Sequence, residues 1–307
     1  MERSNMQEYV IGKKELLKWC RIPVERLADH PERKCDILIR EKKEELYRFI
    51  GDRMADELAE HNQNGELTKW ILPSGHLDQY RYFAKRVNEE RIDCSRLHIF
   101  HMDDWLDWQF RPMDARKSFV SARGIMESGF YALIEDEFSI PEENRHWPDM
   151  KNLDAIDDLI REMGGIDTVQ GGVGCRGMVA FDEPLRSRYY KVTLEEYEHS
   201  KTRPAVINED TIVAYAQREF GGCYEAIPPM GITIGMESIL TAKKGIFLVT
   251  TGEWKQTVVR VALFGEATTE FPVTVLANRI PEFLLCCDTE TADHVISRGS
   301  DAGYLAY

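Results

Sequence analysis

The sequence predicts an α/β protein built on a doubly wound, largely parallel sheet, and three observations predict it. Short apolar runs of strand length alternate with longer segments that carry apolar residues at helical spacing. Strands alternating with crossover helices form such a sheet. Polar, glycine-bearing clusters directly follow several of the apolar runs, which is where these sheets bind ligands. No internal repeat or low-complexity linker divides the chain, so residues 35–307 read as one domain behind an N-terminal helical extension, residues 1–34.

The extension is charged and helix-prone, punctuated by Pro23 and Pro31. Residues 36–39 form the first predicted strand. Residues 40–61 place Leu46, Phe49, Ile50, Met54 and Leu58 on one helical stripe, with charge on the other faces. A short strand at 70–72 ends in Pro73-Ser74-Gly75, followed by a helix at 80–88 and a strand at 97–101. A long helical region is expected over 118–137 and another helix over 154–163. A strand at 166–170 runs into Gly171-Gly172-Val173-Gly174. Further strands are expected at 232–234, 246–250 and 283–287, with a helix at 255–264.

Composition narrows the function classes. The formal charge of −14 argues against nucleic acid as a partner, although a pocket on an acidic protein can still be locally positive. No run of about 18 apolar residues is available to cross a membrane. The charged N-terminus lacks an apolar signal region, so a cytoplasmic protein is expected. Seven cysteines without a C-x-x-C signal neither a zinc site nor a dithiol.

Four clusters can carry chemistry. Pro73-Ser74-Gly75-His76 joins a hydroxyl and a flexible glycine to a helix start, the makings of a phosphate cradle or simply a strand-to-helix turn. His101-Met102-Asp103-Asp104-Trp105 sets two carboxylates at a strand end. There one can act as a general base with a raised pKa, or either can cap a helix. His98 and His101 lie three apart on a strand, so their rings face opposite sides and no metal site is expected. Gly171, Gly172, Gly174 and Gly177 suggest close approach of backbone to ligand. Within that loop Cys175 has no histidine beside it to activate a thiolate. Arg176 can bind an anion or pair with Glu183. Lys255, in Thr250-Thr251-Gly252-Glu253-Trp254-Lys255, can reach a phosphate held at a helix end, or stand in solvent.

Taken in order, these clusters resemble the glucosamine-6-phosphate deaminase/isomerase family. The resemblance rests on Gly171-Gly172-Val173-Gly174, Gly177, Ala180-Phe181 and Glu183-Pro184, and on Phe100 with Met102-Asp103. Leu72-Pro73-Ser74-Gly75 and Gly252 with Lys255 support it, and it runs from about residue 36 to about residue 289. It implies an aldose–ketose isomerisation of an amino sugar phosphate with loss of ammonia, without metal or organic cofactor. By the same resemblance Asp103 moves a proton between C1 and C2, Lys255 and the Ser74-Gly75 turn hold the phosphate, and Glu183 supports a ring-opening histidine.

The chain departs from that pattern where the histidine belongs. Met178 occupies its position, Arg176 replaces the aspartate two residues earlier, and Cys175 the adjoining asparagine. A thioether cannot shuttle protons, so that relay cannot operate as such. His76 and Leu77 alter the phosphate loop, and Gln217, with Arg218 one place on, stands where the family has an arginine. Two readings follow: a divergent sugar-phosphate isomerase or deaminase with Asp103 as base, and a sugar-phosphate-binding protein that has lost catalysis. The expected catalytic residues are Asp103 and Glu183. The expected substrate contacts are Ser74, Gly75, His76, Asp104, Gly172, Arg176, Met178, Arg218 and Lys255. The expected partner is a small sugar phosphate, with room left for a homo-oligomer. Arg176 is expected beside Asp103, where a fixed cation would lower the carboxylate's pKa unless Glu183 or a second substrate anion neutralised it.

Overall fold

Side chains along a strand alternate between the faces of its sheet, so a buried parallel strand must be apolar on both sides. The computed structural model describes residues 11–75, 78–116, 118, 120–185 and 189–299 and shows this pattern at its centre. The strands are β1 (Asp36–Arg40), β2 (Thr68–Leu72), β3 (Leu97–His101), β4 (Asp103–Leu106), β5 (Arg145–His146), β6 (Thr168–Gly172), β7 (Arg203–Val206), β8 (Met230–Thr233), β9 (Lys244–Val249) and β10 (Glu282–Asp288). Seven of them form one parallel sheet in the order β1-β10-β9-β6-β2-β3-β5. In β9, Phe247 and Val249 enter one core while Ile246 and Leu248 enter the other.

The helices are α1 (Lys13–Cys20), α2 (Lys43–Asn64), α3 (Asp78–Glu90), α4 (Ala122–Gly129), α5 (Asp154–Glu162), α6 (Leu194–Glu198), α7 (Glu209–Glu219), α8 (Met236–Ile239), α9 (Gln256–Phe264), α10 (Val273–Arg279) and α11 (Thr289–Ala292). They divide between the two cores: α2, α3 and α4 cover one face, and α5, α8, α9 and α10 the other. The doubly wound parallel sheet is therefore the observed fold. On α2 the expected stripe is buried at Leu46, Ile50, Met54 and Leu58, with Phe49 at its edge. No helix among the described residues is long and apolar enough to cross a membrane.

Residues 11–34 lie against α9. Trp19 approaches Phe264 with ring centroids 6.2 Å apart, and the Lys34 N–H donates to the Leu263 carbonyl at 2.7 Å. Arg260 is wholly buried, and its guanidinium donates to the carbonyls of Ile22 and Ala292, joining the first segment to the last helix.

Three expectations change. The helical region at 118–137 is broken: α4 begins on a Ser121 cap and ends at Phe130, whose φ of −132° leaves the helix. Phe130 turns inward to stack on Tyr80 at 4.4 Å, and short 3-10 turns carry the chain onward. The strand expected at 166–170 is β6, displaced toward the glycines. A Cβ on Gly171 would lie 2.6 Å from Phe247 Cε1, so this central strand needs glycine to pack beside its neighbour. Lastly, Asp103 and Asp104, expected at the end of one strand, begin another. They open β4, which joins a second, antiparallel sheet in the order β4-β8-β7.

Candidate active site

The chain runs outward from β2 through β3 to β5, then returns to β6 on the other side of β2 and proceeds outward to β9. The reversal opens a crevice beyond the carboxyl ends of β2 and β6, where ligands bind in such sheets. A cavity of about 490 Å³ occupies it. Pro73, Ser74 and Gly75 follow β2, Met102 and Asp103 follow β3, Gly172 to Gly174 end β6, and Thr250, Thr251, Trp254 and Lys255 follow β9; all line this cavity. Tyr215 and Glu219 of α7 close one side.

Asp103 and Asp104 separate because successive residues of a strand face opposite ways. Asp103 faces the cavity. Enclosure pushes its carboxyl up to about 7, with the neighbouring charges of Asp104 and Asp182 adding to the effect. Asp104 faces away: its Oδ1 accepts the N–H groups of Trp105 at 2.8 Å and Ala122 at 2.9 Å, tying β4 to the start of α4. Asp104, expected as a substrate contact, is not among the residues lining this cavity.

Lys255 is 6% exposed, with its ammonium 4.8 Å from the centre of the Trp254 ring. Burial pulls its pKa down to about 8, opposed by Cys175, Glu219 and Cys287. A buried amine facing a cavity of this kind gains most from an anionic ligand that restores its charge. Ser74, Gly75 and Lys255, far apart in the chain, all line this cavity. His76 lies outside the described residues.

The glycine loop places Met178 on the cavity and Arg176 away from it. Gly177 adopts φ +77°, and a Cβ there would lie 3.0 Å from the Phe271 backbone, so the turn requires glycine. Met178 is buried and lines the cavity. Arg176 is exposed, its guanidinium 4.6 Å from the centre of the Phe271 ring. The expected depression of Asp103 by Arg176 is replaced by an elevation. Glu183 is buried, and its oxygens accept the Asn208 N–H at 3.1 Å and the Asn208 side-chain amide at 3.2 Å. These bonds brace the start of α7, and Glu183, expected as a catalytic residue, is not among the residues lining the cavity. Arg218 is exposed on α7, 5.6 Å from the Trp254 ring, and is not among the residues lining the cavity.

The imidazoles of His98 and His101 go to different neighbours. His98 Nδ1 meets His146 Nε2 at 3.1 Å, while His101 Nε2 meets the Tyr131 hydroxyl at 2.7 Å. Sequence reasoning missed Tyr215 and Glu219, which lack any motif, and Asp182, which sits inside the glycine-loop motif. A second acidic residue directly before Glu183 was the available signal.

Together these features define a doubly wound α/β protein whose strand-end cavity is lined by both a carboxylate, Asp103, and a buried amine, Lys255. No family model matches the chain. It is 31% identical over 214 residues to a glucosamine-6-phosphate deaminase of Lachnoclostridium phytofermentans, covering 68% of this chain and 81% of that one. It is 29% identical over 222 residues to the Caenorhabditis elegans glucosamine-6-phosphate deaminase, covering 70% and 75%. Among solved structures, a monomeric glucosamine-6-phosphate deaminase superposes with a TM-score of 0.68 at 20% identity, covering 83% of this chain and 98% of that one. A 6-phosphogluconolactonase from Trypanosoma cruzi gives 0.62 at 17% identity, covering 86% and 97%. The chain belongs to the glucosamine-6-phosphate deaminase family.

Proposed function

We propose that the protein is a sugar-phosphate isomerase or deaminase-like enzyme with Asp103 as the proton-transfer base. The observation that carries this reading is the Asp103 carboxyl, facing the cavity and held at about 7, where it can both take and return a proton near neutrality. The phosphate would rest against the Ser74-Gly75 turn and Lys255, which fixes the sugar's far end and leaves C1 and C2 at Asp103. In the proton transfer the C2–H bond breaks and the proton passes to the Asp103 carboxylate. The released electron pair forms a C1–C2 double bond, and the C1 carbonyl oxygen takes up a proton to complete the enediol. Loss of the hydroxyl proton at C2 then makes the new carbonyl as Asp103 returns its proton to C1. A 2-amino substrate gives a C2 imine at this stage, and its hydrolysis releases ammonia. The relatives' names support an amino sugar phosphate as the substrate class, and a cytoplasmic setting belongs to the same reading.

Met178 favours a second reading. A buried thioether lies on the cavity wall where the resemblance calls for a ring-opening histidine, which fits a protein that binds sugar phosphates without turning them over. Incubation with glucosamine 6-phosphate, glucose 6-phosphate and ribose 5-phosphate in deuterated water separates the two. Deuterium incorporation at C2, lost in Asp103→Asn, supports the enzyme. Ligand-dependent stabilisation without incorporation at any sugar phosphate supports the binder.

A further inference from the structure

Asp103 and Trp105 lie two apart on β4, so they share the face turned to the cavity, and both line it. Their partners on β8 are Thr233 and Gly231. The Thr233 hydroxyl accepts the Phe181 N–H at 3.1 Å. The Phe181 ring fills the space that Gly231 leaves, where a Cβ would lie 2.3 Å from Phe181 Cδ2. Trp105 meets the same ring with centroids 4.4 Å apart. The next residue, Asp182, is wholly buried, its carboxyl pushed up to about 6 by that burial, and its Oδ1 accepts from Arg203 of β7 at 2.6 Å. The end of the glycine loop is thereby held against the face that bears Asp103. Tyr215 packs on the cluster of Met178, Phe181 and Ile207 there, as Trp105 does. Helix α7 presents it, with Tyr215 and Glu219 one turn apart and both lining the cavity. Tyr215 is half-buried, and its hydroxyl has no hydrogen-bond partner among the described residues.

A base at C2 needs a partner. As the C2 proton leaves, negative charge develops on the C1 oxygen, and a donor must meet it there. The Met178 thioether has no proton to give. Tyr80 spends its hydroxyl on the Pro73 carbonyl at 2.7 Å, and Tyr47 sits against Thr250. Ser74 and Lys255 are taken up by the phosphate in the reading above. We propose that the Tyr215 hydroxyl is the proton donor to the C1 oxygen, a second catalytic residue working with Asp103. This role rests on the assignment of Asp103 as the base. Burial pushes the Tyr215 phenol above the usual tyrosine range, with Asp103 and Glu219 adding to the effect, so near neutrality it carries its proton. In the step, the C2–H bond breaks and its proton passes to the Asp103 carboxylate, while its electron pair forms the C1–C2 double bond. The C1 carbonyl pair moves onto the oxygen, which takes the Tyr215 proton. The phenolate recovers a proton from the C2 hydroxyl, or from the amino group of a 2-amino sugar, as Asp103 returns its own to C1.

The test is Tyr215→Phe, which removes the hydroxyl and keeps the ring that packs on Met178. With glucosamine 6-phosphate or glucose 6-phosphate, kcat for C2 deuterium exchange should fall about 100-fold or more while KM changes little. Two binding probes read the same contact without turnover. The compound 5-phospho-D-arabinonohydroxamate mimics the enediolate, whereas glucitol 6-phosphate has no carbonyl to polarise. The variant should lose about tenfold or more in affinity for the hydroxamate and bind glucitol 6-phosphate as the wild type does. Exchange at the wild-type rate, or equal losses or none for the two probes, would overturn the donor role. If the wild type itself exchanges nothing, the enzyme reading falls and the probes still decide: a selective loss of the hydroxamate upholds the contact of Tyr215 with the C1 oxygen, and any other result overturns it.

Discussion

Replacing Lys255 by methionine should stabilise the free protein while removing its affinity for phosphate. The amine is 6% exposed, and burial brings its pKa from 10.5 to about 8. That gap, at about 1.4 kcal/mol per pH unit, makes burying the charged amine cost about 3 kcal/mol. The sign follows from proton counting. Between pH 8 and 10.5 the unfolded chain holds a proton that the folded one has released, so stability rises as pH climbs through that window. Below about 8 the amine is charged in both states and the full cost is present. Methionine has a similar volume and no charge, so Lys255→Met should melt higher than the wild type at pH 7 by about 5 °C. The difference should shrink as the pH is raised to 10.5. Added glucose 6-phosphate should raise the melting temperature of the wild type and leave that of the variant unmoved. A variant that melts at or below the wild type at pH 7, or a difference that does not change with pH, would refute the reasoning.

Asp103→Asn should abolish C2 exchange while retaining ligand-dependent stabilisation. It should also flatten the pH dependence of stability between 3.8 and about 7, where the folded protein holds a proton that the unfolded chain has released and so loses stability as pH rises. Arg203→Met strands the Asp182 carboxylate and should cost about 3 kcal/mol in urea unfolding at pH 8, with a smaller loss at pH 5 where the carboxyl is protonated. Gly171→Ala should cost about 2 kcal/mol by the same measure, because its methyl group would press on the Phe247 ring across β6 and β9.

Much of this protein was legible before its tertiary structure. The alternation of apolar runs and helical stripes is local, each element carries its own period, and that sufficed for the parallel sheet and its two cores. Ser74, Gly75, Gly172, Met178, Asp103 and Lys255 were legible for a related reason: a parallel sheet brings strand ends to one edge, so clusters at those ends converge wherever they fall in the chain. The glycines marked turns that only glycine can make, as at Gly177.

What the tertiary structure decided was orientation and partnership. Asp103 and Asp104 are adjacent and chemically alike, and only the pairing of β4 with β8 shows that one faces the cavity while the other ties down α4. Arg176 turns to Phe271 because Gly177 directs the loop away from the site, a choice made by a backbone angle and a distant aromatic ring. Glu183 is taken by Asn208, and Asp182 by Arg203, through contacts 25 and 21 residues apart along the chain. Sequence carries the identity of each charged group. The pKa of that group, and therefore its chemistry, depends on which neighbours and how little water surround it, and those are set by folding.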